Sequence, residues 1–294
     1  MHFSSVGLIA KTGSQQVLES LERVLTFLRS QDLNIVLESA SAERLTCFEK
    51  ISEVGEMGDC CDLVIAVGGD GNILGAARAL APFGVPILGV NRGRLGFLAD
   101  ISPEDIETQI GAVLAGDFVT EDHFLLEGEV LGHDEIHSAL NEVLIHTASM
   151  PKMIEFDLYI NGEEVYAQHS DGLIISTPTG STAYALSAGG PIMHPSLDAV
   201  VLVPMFPHTL TSRPLVVPGD FEIKVLIASP GDVEARVSFD SQVEFNIQAG
   251  DELLVRKMKK PLKLIHPPGH SFYDVCRSKL DWATRVGDKL NHGD

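Results

Sequence analysis

A carboxylate lies within the glycine-rich stretch GGDGN at residues 68–72. The preceding run DLVIAV is typical of a buried strand, and the following run ILGAARAL predicts a helix. Gly68, Gly69 and Gly71 let the backbone turn sharply and approach a ligand, and the amides that open the helix suit an anion. Asp70 then has two interpretations. It caps an ordinary tight turn, or it accepts a proton from a hydroxyl that attacks phosphorus while Mg²⁺ offsets the negative charge.

A second group of chemically useful residues occupies 171–191, DGLIISTPTGSTAYALSAGGP. The pattern predicts a strand that ends at Pro178, followed by a short helix capped by Ser181 or Thr182. A helix N-terminus rich in hydroxyls suits ribose or phosphate oxygens, and Tyr184 could stack on a base. The alternative is an ordinary capped helix with Tyr184 in the core. The density of Gly, Ser and Thr in an otherwise β-rich region favours a ligand site.

A third group is the pair Asn141 and Glu142, which begins the strand-like run NEVLIH. Adjacent strand residues point to opposite faces, so one of the two side chains is simply exposed or both hold a sugar or base edge.

The composition limits the classes of partner. The chain has 294 residues, is 45% hydrophobic and carries a formal net charge of −20. Nucleic acid and anionic membranes require basic patches, so we expect neither as a partner. Four cysteines without zinc or disulfide spacing, no signal peptide, and no apolar run long enough to span a bilayer together predict a soluble, cytoplasmic protein.

The order of elements predicts an α/β domain followed by an all-β domain. Strands alternate with helices over residues 1–119, which indicates a Rossmann-like, mostly parallel sheet. Residues 120–266 contain strand-like runs and an Asn161-Gly162 hairpin signal, which indicates a β-sandwich-like domain. Residues 267–294 form a helical tail that we expect to pack on the first domain. In the first domain, Ser102 is predicted to cap a helix that begins at Pro103.

Five segments, taken in order, resemble the NAD kinase family over nearly the whole chain: GGDGN, NRGRLGFLAD, LNEV, DGLIISTPTGSTAYALSAGGP and LTSRPLVV. GGDG alone is weakly specific, because 6-phosphofructokinases and diacylglycerol kinases are similar there. The resemblance implies that NAD lies between the two domains. It also implies that ATP, with Mg²⁺ or another divalent metal, donates its γ-phosphoryl group to the 2′-hydroxyl of the adenosine ribose, giving NADP.

The resemblance also assigns residues. Asp70 matches the family's proton acceptor, and Asp70 and the adjacent Gly71 are also predicted to contact NAD. The NAD contacts are matched by Asn141, Glu142, Asp171, Thr182, Ala183, Tyr184, Ala185, Leu186 and Ser187, and more loosely by Lys152, His169, Phe206 and Gln242. From the residues themselves, we predict a phosphate or ATP region that comprises Gly68, Gly69, Asn72, Arg92 and Arg94, because backbone amides and cations offset the charge of ATP. The metal ligands stay open, and a homotetramer is expected.

Two other functions are compatible with part of the pattern. A related kinase that acts on a lipid or a sugar phosphate would explain Asp70 but not the segment TPTGSTAY. A non-catalytic NAD sensor would explain that segment but has no need of a base at Asp70.

Overall fold

The computed structural model describes residues 2–11, 14–45, 48–92, 96–133, 135–148, 152–228 and 233–282. The chain divides into two compact units, the first comprising residues 1–121 and 263–294 and the second residues 122–262. Within the described ranges, no helix has both the length and the apolar character needed to cross a membrane.

The strands are numbered along the chain. They are β1 (Ser5–Ala10), β2 (Asn34–Glu38), β3 (Lys50–Ser52), β4 (Leu63–Val67), β5 (Ile87–Val90), β6 (Val119–His123), β7 (Leu126–Val130), β8 (Ile136–Ala139), β9 (Glu142–Thr147), β10 (Ile154–Ile160), β11 (Glu163–Ser170), β12 (Gly172–Ser176), β13 (Ala199–Met205), β14 (Leu215–Pro218), β15 (Ile223–Ile227), β16 (Ala235–Phe239), β17 (Val243–Ile247), β18 (Glu252–Lys257) and β19 (Leu262–His266).

The helices are numbered in the same way. They are α1 (Gln15–Arg29), α2 (Ser39–Ala42), α3 (Val54–Cys60), α4 (Asp70–Leu80), α5 (Ile106–Ala115), α6 (Tyr184–Ser187) and α7 (Phe272–Lys279). Short 3-10 turns cover Ala81–Phe83, Pro103–Asp105 and Gly180–Thr182.

The first unit is built on a sheet with the strand order β3-β2-β1-β4-β5-β19-β6. The pairings of β1 with β2 and β4, of β4 with β5, and of β5 with β19 are parallel. β19 falls within the predicted bounds of the β domain, yet Leu264 pairs with Ile87 in this sheet. The apolar face of α1, including Leu21 and Leu28, packs in the same core as the sheet residues. The carboxyl ends of β4 and β5 therefore lead into neighbouring loops at one edge.

The second unit contains two six-stranded antiparallel sheets, ordered β11-β10-β15-β18-β7-β8 and β14-β13-β12-β9-β16-β17. Residues from both sheets, such as Phe156, Leu173 and Phe239, form the core between them. On the outer face of the second sheet, Ile174 and Val201 pack with Ala185 in a further cluster. The central strands of this sheet are buried on both faces, which explains their continuous apolar runs.

The structure confirms the predicted fold class and the predicted hairpin turn. Asn161 and Gly162 have φ angles of 50° and 80°, as a type I′ hairpin turn requires. The Ser271 hydroxyl caps α7 by accepting the N–H of Asp274 at 3.4 Å.

The predicted start of the helix near residue 102 is wrong in detail. The chain first makes a 3-10 turn at Pro103–Asp105, and α5 begins only at Ile106. The Ser102 hydroxyl donates to the Asp105 carboxylate at 2.9 Å instead of capping the helix. The short elements β3, α2 and α3 were not predicted, because pieces of three to seven residues carry little periodicity.

Candidate active site

Asp70 is the first residue of α4, after Gly69 at the N-cap, and its carboxylate holds the loop that follows β5. Oδ2 accepts the N–H of Phe97 at 3.0 Å. Oδ1 accepts the N–H groups of Leu98 at 3.2 Å and Ala99 at 3.3 Å. These partners of the Asp70 side chain lie in that loop and not in its own helix. The tight-turn interpretation of Asp70 is therefore incomplete, because its partners lie in a separate loop.

Glycine makes this arrangement possible at two positions. Gly68 has a φ of 147°, which side chains rarely adopt, and its N–H donates to the Val90 carbonyl at 2.8 Å. A Cβ at Gly96 would collide with Oδ1 of Asp70. The second glycine of GRLGF therefore leaves the space that the carboxylate occupies.

A pocket of about 610 Å³ opens beside Asp70 in the first unit. Its described lining residues are Gln16, Gly69, Asp70, Asn91, Arg92, Gly96 and Lys279. Arg92 and Lys279 bring two cations to this pocket, which suits a phosphate group. Asn72 fixes the turn, since its amide donates to the Val67 carbonyl at 3.1 Å. Arg94 lies outside the described residues.

In the second unit, three segments meet at one edge of a sheet. β9 lies between β12 and β16, and both pairings are antiparallel, so the start of β9 adjoins the ends of its neighbours. The Thr177 N–H donates to the Asn141 carbonyl at 2.9 Å, and the Asp240 N–H donates to the Glu142 carbonyl at 3.1 Å. The structure thus brings together Asn141, Glu142, the segment after β12 and the turn before Gln242.

Asp240, which the sequence analysis did not identify, organises this edge. Its carboxylate accepts the N–H groups of Leu140 at 2.9 Å, Asn141 at 2.8 Å and Glu142 at 3.2 Å. Its φ of 51° lies in the left-handed region. In the sequence, Asp240 looks like an ordinary hairpin-turn residue, because Asp is common in turns. The neighbouring residues therefore do not reveal its distant hydrogen-bond partners.

Glu142 is buried beside this carboxylate. It is 5% exposed, and its Oε2 has no hydrogen-bond partner within the described residues. Burial, together with the negative charge of Asp240, raises the pKa of Glu142 to about 8. The raised pKa favours the neutral form of Glu142, and a buried carboxyl group with one oxygen unpaired among the described residues is typical of functional sites.

The predicted cap of the helix in the segment 171–191 is wrong. The Ser181 hydroxyl is buried and donates to the Pro178 carbonyl at 2.6 Å, and the Thr182 hydroxyl donates to the Thr179 carbonyl at 3.1 Å. Neither caps α6, whose N-cap is Ala183. Both hydroxyls belong to the 3-10 turn that precedes α6 and are already hydrogen-bonded to carbonyl groups before the helix begins.

Gly180 leaves no room for a side chain, as does Gly172 earlier in the same segment. A Cβ there would collide with the backbone carbonyl of Asn141. Close packing of the two backbones therefore requires glycine at the end of TPTG.

The remaining residues of this run differ in exposure. Tyr184 is 41% exposed, so it is not a core residue and its ring is open to a partner. Ala185 is fully buried in the outer cluster of the sheet, so the structure does not expose it to a ligand. Thr182, Ala183 and Leu186 are half-buried and Ser187 is exposed.

Two other predicted NAD contacts, Asp171 and Phe206, lie at the opposite edge of the same sheet, whereas His169 belongs to β11 of the other sheet and Gln242 follows the Asp240 turn at the first edge. Asp171 precedes β12, and its N–H donates to the Met205 carbonyl at 3.0 Å. Phe206 follows directly and is 75% exposed. The five residues of β12 separate this edge from Asn141 by about 16 Å. His169 is exposed, with Nε2 3.0 Å from the Glu155 carboxylate. Lys152 and Gln242 are also exposed.

A histidine–carboxylate cluster in the first unit contains Asp100, Glu121, His266 and His270. Oδ2 of Asp100 lies 3.0 Å from Nδ1 of His266 and 2.8 Å from Nδ1 of His270. The two rings stack, with centroids 3.8 Å apart and planes 20° apart. Their ligand atoms are close enough for a metal ion, but one ion cannot lie in the planes of two nearly parallel rings. The geometry therefore fits hydrogen bonding better than metal binding.

Two family models match the chain. The ATP-NAD kinase N-terminal domain matches residues 6–118, and the ATP-NAD kinase C-terminal domain matches residues 140–267. The chain is 52% identical to the NAD kinase of Teredinibacter turnerae, covering 97% of this chain and 99% of that one. It is 49% identical to the NAD kinase of Azotobacter vinelandii, covering 97% and 98%.

Two solved structures have a similar fold. Yeast NADH kinase complexed with NADH has a TM-score of 0.88 at 23% identity, covering 97% of this chain and 89% of that one. An NAD kinase from Archaeoglobus fulgidus in complex with ATP has a TM-score of 0.71 at 28% identity, covering 90% and 94%. Because the family models match more than half of the chain and close relatives match nearly all of it, the chain belongs to the NAD kinase family.

Proposed function

We infer that the chain is an NAD kinase, which transfers the γ-phosphoryl group of ATP to the 2′-hydroxyl of the adenosine ribose of NAD and gives NADP. Family membership carries the kinase activity, since both domain models and relatives near 50% identity match it. These matches do not favour a lipid or sugar kinase, nor a sensor without turnover. The observation that carries the mechanism is the Asp70 carboxylate, which is fixed beside a pocket with two cations.

We propose that Oδ2 of Asp70 is the atom that accepts the proton. A carboxylate has about four acceptor positions. Oδ1 uses two of them for Leu98 and Ala99, whereas Oδ2 uses one for Phe97. The remaining position on Oδ2 takes the proton as the ribose oxygen bonds to phosphorus and the bond from phosphorus to ADP breaks.

The phosphates of ATP require positive partners in a chain of net charge −20. We propose that Gly68, Gly69, Asn72 and Arg92 form the phosphate region as predicted, with the backbone amides at the start of α4. Arg94 lies outside the described residues and is proposed only from its charge and its place in the sequence.

Magnesium prefers oxygen ligands and usually binds with substrate phosphates and water. The stacked imidazoles of the histidine–carboxylate cluster do not fit this preference. We therefore propose that Mg²⁺ enters with ATP, as the substrate MgATP.

We propose that the second unit binds NAD through the residues predicted from the sequence. Its first group lies at the edge organised by Asp240, where Asn141 and Glu142 start β9. The exposed ring of Tyr184 is open for stacking on a base. Its second group, with Asp171 and Phe206, lies at the opposite edge.

We also propose that the enzyme is a homotetramer. In an oligomer, one NAD molecule would contact the first edge of the sheet in one copy of the chain and the opposite edge of the sheet in a second copy. Phe206, Leu210 and Val216 expose large apolar side chains, which is typical of an interface. Light scattering should give a particle near four times 31.7 kDa, and a monomer at micromolar concentration would contradict this proposal.

A cytoplasmic location is a further proposal. The described cysteines Cys60, Cys61 and Cys276 are free thiols, as a reducing compartment favours. We further propose that residues 1–119, 120–266 and 267–294 are the functional parts of the chain. The first part carries the base, and the second part carries the NAD contacts.

One assay separates the candidate activities. The purified protein is incubated with ATP, Mg²⁺ and one of three acceptors: NAD, diacylglycerol or fructose 6-phosphate. We expect phosphorylation of NAD alone, with a product that an NADP-specific dehydrogenase reduces. Phosphorylation of another acceptor instead would contradict the proposal, and NAD binding without product would indicate a sensor.

A further inference from the structure

We propose that Lys279, at the end of α7, binds a phosphate group of ATP and that the histidine–carboxylate cluster positions α7. This inference rests on the proposed function, because it takes the pocket beside Asp70 as the place of phosphoryl transfer. Neither Lys279 nor the cluster was among the predicted site residues.

Lys279 lies at the end of α7 on the side of the helix that packs inward. Val275 and Cys276 are 4% and 0% exposed, and Lys279 follows them by four and three residues. Residues at these spacings share one face of a helix. Lys279 therefore extends from the packed face, and it lines the pocket that also contains Asp70.

A second cation on the same helix behaves differently. Arg277 is paired with the Asp274 carboxylate. Within the described part of the chain, Lys279 has no ion-pair partner. A helix C-terminus favours any cation, which accounts for both residues being basic but not for the position of Lys279 in the pocket.

The charge of the pocket supports a phosphate partner. Asp70 is an acceptor that must work beside a polyanion, so nearby positive charge is needed to hold the phosphates. Among the described lining residues, the cations are Arg92, from the loop after β5, and Lys279. The two come from opposite ends of the first unit's sequence, so the C-terminal segment must be held in place for both to act together.

The histidine–carboxylate cluster supplies that hold. His266 ends β19 and His270 precedes the cap of α7, and both rings share Oδ2 of Asp100. Nε2 of His266 and Nε2 of His270 lie 3.9 Å and 3.7 Å from Glu121 on the other side. The side chains of His266 and His270 are 2% and 6% exposed. The residues that lead into α7 are thus fixed by a buried cluster.

The charge balance of the cluster favours the paired state. Burial opposes charge on Asp100, but hydrogen bonds from His266 and His270 outweigh it and lower the pKa of Asp100 below its ordinary value. Burial likewise opposes charge on His270, but Asp100 and Glu121 outweigh it and raise the pKa of His270. Asp105 and Asp274 line the neighbouring pocket and add further negative charge.

The same cluster also touches the loop that holds Asp70. Asp100 directly follows Ala99, whose N–H donates to Oδ1 of Asp70 at 3.3 Å. The Asn91 side chain donates to the Ala99 carbonyl at 3.2 Å. One anchor therefore fixes both the loop that orients the proposed base and the helix that carries the proposed phosphate ligand.

Kinetics of Lys279 variants test the phosphate contact. A charge-assisted hydrogen bond is worth about 1.5–3 kcal/mol, so Lys279→Met should lower kcat/KM for ATP by about 10- to 100-fold. KM for NAD should stay within about twofold, and Lys279→Arg should restore most of the loss. Arg277→Met is the matched control on the same helix and should keep the wild-type value. Wild-type NADP formation is measured first, because its absence would contradict the proposed function itself.

An unchanged kcat/KM for ATP in Lys279→Met would overturn the phosphate contact. An equal loss in Arg277→Met would also overturn it, since general charge or helix stability would then explain the effect.

Variants of His270 test the anchor. His270→Asn keeps a donor near Asp100, whereas His270→Ala removes it. If the anchor positions Lys279, His270→Ala should lower kcat/KM for ATP by about 10-fold or more, and His270→Asn should recover at least half of that loss on a logarithmic scale. If His270→Ala does not fold, His270→Asn and Asp100→Asn give the same comparison. A lowered melting temperature with unchanged ATP kinetics in the folded variants would show that the cluster only stabilises the fold.

Discussion

The replacement Asp70→Asn should do two separable kinds of damage. Asn keeps one carbonyl oxygen, which can still accept from Leu98 and Ala99. Its amide then faces the Phe97 N–H, which loses an acceptor at 3.0 Å. An unsatisfied donor costs about 1–3 kcal/mol of folding stability. The loss of a general base should lower kcat by about 10²–10⁴-fold.

Two measurements separate these effects. Denaturant unfolding reports the stability loss, and steady-state kinetics on the folded variant report kcat. A loss of 1–3 kcal/mol leaves most proteins folded, because total stabilities are about 5–15 kcal/mol. NAD affinity, measured separately, should stay near the wild-type value, since most proposed NAD contacts lie in the second unit.

Gly96→Ala is the control for the loop. It places a methyl group against Oδ1 of Asp70 and disturbs the loop while the carboxylate remains. We expect a smaller loss of kcat than for Asp70→Asn. If Asp70→Asn keeps kcat within a few-fold of the wild type, Asp70 is not the base. If Gly96→Ala loses as much as Asp70→Asn, the position of the Asp70 carboxylate limits kcat as strongly as its presence.

Three further predictions concern the edge at the start of β9. Glu142 has a raised pKa, so the native state binds more protons than the unfolded state, and its stabilisation is fully present below about pH 4.5 and lost as pH rises to about 8. In Glu142→Gln, the free energy of unfolding should therefore depend less on pH in this range than in the wild type. If urea unfolding gives the same pH dependence for both proteins, the raised pKa of Glu142 is contradicted. Asp240→Asn removes one acceptor and one charge, so it should cost about 1–3 kcal/mol in unfolding and raise KM for NAD; a KM unchanged at the lower stability would restrict Asp240 to a structural role. Gly180→Ala places a methyl group against the Asn141 carbonyl, and overpacking of this kind costs about 1–3 kcal/mol in thermal or denaturant unfolding; an unaltered midpoint would show that the backbones separate freely.

The sequence by itself determined the elements whose causes are local. The glycines around Asp70, the alternation of strand and helix, and the Asn161-Gly162 turn each act within a few residues, and the structure confirms the fold class that they predict. The same patterns identified Asp70, Asn141 and Glu142 as candidate residues, because their polar side chains lie in a glycine-rich turn or at the start of an apolar strand-like run.

Only the tertiary structure decided which atoms these residues meet. Asp70 accepts from amides 27 to 29 residues away, and Asp240 accepts from an amide 100 residues away. An aspartate in a turn has the same local sequence whether it caps its own turn or holds a distant loop. Lys279 likewise enters the pocket beside Asp70 only because the segment after β19 folds back on the first unit. Such partners depend on chain packing, and local periodicity carries no information about them.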